Sequence, residues 1–125
     1  MKILLSIKPT FVEKIFSGEK KYEYRRKLYK NRNLKTIVVY SSSPIRKVVG
    51  EIEVEEILSD SPEKLWSLTK CESGITENYF RKYFDGRNVA YAIKIKSYNS
   101  YDSPVELNKK YPGVRVPQSF CYVGE

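Results

Sequence analysis

The sequence predicts an α+β fold, a small mixed β-barrel with short helices inserted between its strands. Three observations predict it. About six short segments carry strand-like apolar runs or alternation. Helix start and stop signals fall between them singly or in pairs, without the regular strand–helix rhythm of a doubly wound parallel sheet. The length of 125 residues, 41% hydrophobic, suits one core, so residues 1–125 are read as a single domain.

Lys2–Ile7 is the first strand, apolar and buried. Thr10 then reads as a helix N-cap with Glu13 as its capping-box partner, and Phe11, Val12, Ile15 and Phe16 recur at one-face spacing. Gly18 is placed to end this helix in a left-handed conformation. A short, strongly ionic strand follows. Successive side chains of a strand point to opposite faces. Tyr22 and Tyr24 therefore share a core face, and Lys21, Glu23 and Arg25 share a polar face suited to lining a cleft. Lys20 sits where turn meets strand and is expected to reach that cleft.

Residues 29–34 read as an exposed basic loop. Residues 36–40 form a β-branched buried strand, ended by Ser41-Ser42-Ser43-Pro44. The next strand, 47–57, has Val49, Glu51, Glu53 and Glu55 on one parity and Ile52 and Val54 on the other. The parity slips at Glu56-Ile57, which predicts a β-bulge. Ser61-Pro62-Glu63 opens a helix with proline at its first position, and Ser73-Gly74 breaks it. Thr76 caps another, whose Tyr79, Phe80, Tyr83 and Phe84 stripe reads as core. Residues 88–96 alternate cleanly, with Ala90 and Ala92 leaving room for a closely packed neighbour. Residues 97–113 read as loop, and 117–123 as a last short strand.

The composition narrows the function. Lys and Arg total 23 against 15 Asp and Glu, a net charge of +8. Between Glu19 and Lys35 lie eight cations and two anions, whereas Glu51 to Glu63 carries six acids and no cation. Such polarity favours a polyanion on the basic side, nucleic acid above all. Histidine is absent, which removes the commonest general base and metal ligand. Cys71 and Cys121 have no metal-ligand spacing, so no metal and no cofactor are expected. Two cysteines in an ordinary composition indicate a reducing compartment. The apolar start is too short for a signal peptide, and no stretch is long enough to span a bilayer. These features place the chain in the cytoplasm, with no membrane contact.

Gly18-x-Lys20-x-x-Glu23-x-Arg25, behind a short N-terminal helix, resembles the GxKxxExR signature of ASCH domains, members of the PUA-like superfamily. All four positions match, and the order of elements agrees over nearly the whole chain. Tyr40-Ser41-Ser42-Ser43-Pro44 and Pro117-Gln118-Ser119-Phe120 resemble further segments of small members. The resemblance implies a barrel with a cleft beside the signature strand and a role in RNA binding or RNA metabolism. It also implies that Ser42, Ser43, Gln118 and Ser119 are cleft residues. One branch of the family hydrolyses N4-acetylated cytidine with a signature lysine and threonine and a downstream glutamate. The lysine falls on Lys20, but the threonine position is Glu23, which has no hydroxyl nucleophile. Other members are linked to RNA cleavage.

The leading expectation is an RNA-binding or other nucleic-acid-binding protein that seats a nucleotide or base at Lys20, Glu23 and Arg25. Arg25 is weighed equally as a phosphate fork and as the ion-pair partner of Glu23. Glu23 can accept from an exocyclic amino group. Lys8, Arg26, Lys27, Lys30 and Arg32 are expected to hold the backbone. One rival is a small hydrolase acting on RNA or a modified nucleoside, with Lys20 and Glu23 as proton-transfer groups. Another is a protein-interaction module presenting the acidic strand. The oligomeric state is left open.

Overall fold

The structure is a computed structural model that describes residues 1–124. Its strands are β1 (Lys2–Ile7), β2 (Tyr22–Arg25), β3 (Thr36–Ser41), β4 (Lys47–Asp60), β5 (Ala90–Val105) and β6 (Phe120–Val123). The helices are α1 (Pro9–Phe16), α2 (Pro62–Thr69), α3 (Glu77–Tyr83) and α4 (Leu107–Lys110), with a 3-10 turn at Lys70–Glu72. The strands form one mixed sheet in the order β2-β5-β4-β3-β1-β6, in which β1 and β3 run parallel and the other pairs antiparallel. The α+β class with inserted helices is as expected.

Closure differs from the expectation. The edge strands β2 and β6 do not pair through their backbones, so the sheet is not a closed barrel. Each is four residues long and pairs on one side only, β2 with β5 and β6 with β1. A side chain spans the gap instead: Arg25 of β2 donates from Nη2 to the carbonyl of Ser119, just before β6, at 2.8 Å. The two edges thus approach within one arginine. Register shifts between β4 and β5 at Glu53/Val54 and Val54/Glu56 help the long strands bend, close to where the parity of the sequence slips.

The core lies between the sheet and α1, where Ile3, Leu5, Ile7, Val12, Ile15, Ile37, Val39 and Ile52 pack together. A second cluster sets Tyr22, Tyr24, Ala90 and Ala92 under Leu65 of α2, Phe80 of α3 and Phe84, which caps α3. The two alanines admit the aromatic helix, as their size predicts. Ser61 and Thr76 cap α2 and α3 through their side chains, accepting from Lys64 N and Tyr79 N.

Three local expectations are corrected. Pro9, not Thr10, opens α1, and Lys8 is its N-cap without a side-chain bond. The missing proline N–H suits the first helical position. Tyr29 is fully buried inside the supposed loop, packed on Phe120. Residues 97–105 continue β5 and pair with β4, through Ile52↔Tyr98 and Gly50↔Ser100 for example. The acidic strand β4 is partnered: Glu51 with Lys2 and Tyr101, Glu53 with Thr36, and Glu55 with Lys94. Among the described residues no helix is long and apolar enough to cross a membrane.

Candidate nucleic-acid interface

A cleft of about 450 Å³ opens where the end of β1, α1, β2 and α3 meet the segment before β6. Six of the eight expected binding residues line it: Lys8, Lys20, Glu23, Arg25, Gln118 and Ser119. Ser42 and Ser43 do not. They lie in the turn after β3, where Ser42 N–H donates to the carbonyl of Ile7 at 2.9 Å.

The strand alternation accounts for two of the site's central groups. Glu23 and Arg25 project from one face of β2 and form a buried ion pair, Nη1 to Oε2 at 3.1 Å. The same guanidinium donates to the carbonyls of Ser119 and Ser6 and to Ser119 Oγ. Arg25 is therefore engaged with protein acceptors and orients the carboxylate of Glu23. Lys21 falls outside the cleft, exposed and 3.9 Å from Glu72.

Lys20 reaches the cleft by another route. Its parity matches the tyrosines, and its ammonium enters beside Tyr24. Nζ donates to the Ser73 carbonyl at 2.8 Å and sits 5.1 Å from the Phe11 ring centroid and 4.8 Å from that of Tyr24. Only 2% of the residue is exposed. Burial lowers its pKa to about 8; Glu23 acts in the opposite direction, and Lys14 adds to the fall. The collar around the stem is tight. A Cβ on Gly74, whose φ is +68, would stand 2.5 Å from Lys20 Cβ. Lys14 donates to the carbonyl of that same glycine at 3.0 Å.

Tyr24 forms part of the wall. Its hydroxyl donates to Thr69 Oγ1 at 2.7 Å. Burial pushes its pKa up to about 12, although the Thr69 bond works the other way.

The outer wall differs from the core expected of this stripe. The aromatic stripe of α3 splits: Phe80 and Phe84 are buried, whereas Tyr79 and Tyr83 are half-buried and line the cleft. Lys8 donates to Tyr79 Oη at 3.1 Å, and the Arg26 guanidinium lies over the Tyr83 ring at 4.6 Å. Arg26, Lys27 and Arg87 complete the basic rim, while Lys30 and Arg32 lie outside it. Phe11 and Arg87 were absent from the expected site. Their only sequence signals are an apolar helix position and a charge after Gly86. Six cations and one carboxylate thus surround a cavity with aromatic walls. Among the described residues no group of three or more Cys, Asp or Glu side chains is placed to hold a metal.

The ASCH domain profile matches residues 5–99, which include the whole signature. The chain is 28% identical over 106 residues to a Zymomonas mobilis protein named ASCH domain-containing ribonuclease, covering 85% of this chain and 71% of that one. It is 26% identical over 121 residues to large ribosomal subunit protein uL22 of Ureaplasma parvum serovar 3. That match covers 97% of this chain and 39% of the relative's length. The crystal structure of ASCH from Zymomonas mobilis aligns with a TM-score of 0.88 at 26% identity, over 99% of this chain and 88% of that one. The N-terminal domain of Staphylothermus marinus McrB shares the fold at 13% identity, with a TM-score of 0.53 over 86% of this chain and 77% of its own. With the profile spanning well over half of the sequence and its signature strand lining the cleft, the chain belongs to the ASCH domain family.

Proposed function

We propose that this protein binds RNA in the cytoplasm and seats one unstacked nucleotide in the cleft beside β2. The observation that carries this reading is the joining of aromatic walls, a cationic rim and one buried carboxylate in a single cavity of nucleotide size. The RNA-related function of the family and its ribonuclease-named relative support it. Glu23, held by Arg25, accepts from a base N–H or exocyclic amino group. Lys8, Arg26, Lys27 and Arg87 meet phosphates, a task for which Arg25 has few donors left.

The test is fluorescence anisotropy with a labelled single-stranded RNA over a range of salt. Binding should weaken with salt, the slope in log–log form being about −0.7 per neutralised phosphate. Lys27→Glu should weaken binding at least tenfold, and Lys109→Glu, on α4 away from the cleft, should not. Equal effects at both positions would reject the cleft.

A second reading, RNA cleavage, is favoured by Lys20. With a pKa of about 8, a minor fraction is a neutral amine at pH 7, and that form can take the proton of an attacking 2′-hydroxyl. The measurement is cleavage of labelled RNA as a function of pH. A rate that climbs toward pH 8 and vanishes in Lys20→Met supports cleavage. No cleavage by the parent protein at any pH rejects the reading, and an unchanged rate in Lys20→Met rejects Lys20 as its base.

A further inference from the structure

Tyr79 and Tyr83 stand one turn apart on α3, with ring centroids 6.3 Å apart and planes inclined by only 13°. A helix brings residues four apart onto one face, and both hydroxylated rings line the cleft, Tyr83 while also packing against the Phe80 and Phe84 cluster. The neighbouring positions Phe80 and Phe84 already fill the core side. The pair is braced rather than loose. Phe11 meets Tyr79 edge-on at 5.4 Å, and Phe84 meets Tyr83 edge-on at 4.8 Å. Each ring also carries a cation, Lys8 at 5.3 Å from Tyr79 and Arg26 at 4.6 Å from Tyr83. Both cations are exposed. The result is a short ladder of near-parallel aromatic faces with a positive charge at each rung, running along the cleft wall.

Base faces stack on such rings regardless of base identity, and a cation beside each ring meets the phosphate that links one nucleotide to the next. We propose that the Tyr79–Tyr83 ladder is a second nucleotide subsite, so the ligand is single-stranded RNA of at least two nucleotides rather than a free nucleoside or a duplex. This rests on the reading of the inner cleft as a nucleotide site. The inner cleft takes one unstacked base near Glu23. The neighbouring base lies against the ladder, where it replaces the Arg26 guanidinium on the Tyr83 face and frees that group for the intervening phosphate. A duplex keeps its bases stacked on one another and cannot offer a face to the tyrosines.

The test measures affinity by calorimetry for a ribonucleoside monophosphate, the matching dinucleotide and tetranucleotide, and a blunt RNA duplex. The dinucleotide should bind on the order of 5–150-fold more tightly than the monophosphate, the range expected for one stacked base. The duplex should bind more weakly than the tetranucleotide. Tyr83→Ala should collapse the ratio of dinucleotide to monophosphate affinity toward one, and Tyr83→Phe, which keeps the ring, should preserve it. Arg26→Ala, a substitution at an exposed position, should lower the ratio without risk to folding. A normal monophosphate affinity with no gain from the second nucleotide overturns the ladder alone. A gain that survives both Tyr83→Ala and Arg26→Ala does the same. Failure of every ligand to bind overturns the inner-cleft reading, and the ladder with it.

Discussion

Replacing Lys20 by methionine should change how stability depends on pH. Lys20 is 2% exposed, and burial is the main cause of its lowered pKa. A fall from 10.5 in the unfolded chain to about 8 in the folded one corresponds to about 3 kcal/mol. Below pH 8 the ammonium is charged in both states, so the whole cost of burying it opposes folding. Between about pH 8 and 10.5 the folded chain has released a proton that the unfolded chain still holds, so stability rises with pH. Urea unfolding of the parent and of Lys20→Met at intervals from pH 7 to 10.5 isolates this contribution, because other groups titrate in both proteins. The parent should gain about 3 kcal/mol on the variant across that window. A difference that stays constant with pH would refute the reasoning, since it would mean an ammonium still titrating near 10.5.

Other perturbations probe the same architecture. Gly74→Ala places a Cβ 2.5 Å from Lys20 Cβ at a left-handed φ, and should cost about 2 kcal/mol or more in chemical unfolding while weakening RNA binding through displaced Lys20. Arg25→Met leaves the Glu23 carboxylate buried and unpaired and cuts the bridge between β2 and the segment before β6. A loss of about 3–5 kcal/mol is expected, partly recovered by adding Glu23→Gln. Tyr29 Oη is buried without a hydrogen-bond partner among the described residues, so Tyr29→Phe should leave stability unchanged or raise it by about 1 kcal/mol in thermal melting. Destabilisation by Tyr29→Phe would show that the hydroxyl is satisfied.

The parts of the fold legible in the sequence are those set by local chemistry. Ser61 and Thr76 announce their helices because a hydroxyl before a helix start satisfies free N–H groups. Gly18, at φ +83, ends α1 because few other residues tolerate that conformation. The far half of β5 was hidden because Ser97 to Ser103 is polar and exposed, and its strand state comes from pairing with β4. Tyr29 was hidden because its basic, asparagine-rich neighbours resemble a solvated loop, although the ring itself enters the core.

The site was legible to the same degree. Alternation on β2 placed Glu23 and Arg25 together, but alternation alone put Lys20 with the tyrosines. The turn at Ser73-Gly74, distant in sequence, is what holds its ammonium in the cleft. Gln118 and Ser119 were reachable only through family resemblance. Tyr79 and Tyr83 read as core in the sequence because four aromatics on two turns span more than one face of a short helix, and periodicity does not say which edge faces solvent.

The central claim, a nucleotide seated in the cleft beside β2, is tested most directly by photo-crosslinking. RNA carrying 5-iodouridine would be irradiated with the protein and the linked residues mapped by mass spectrometry. The account predicts links at Phe11, Tyr24, Tyr79 or Tyr83, the aromatic walls of the cleft. Links concentrated instead at Tyr98 or Tyr122, exposed tyrosines outside the cleft, would contradict it.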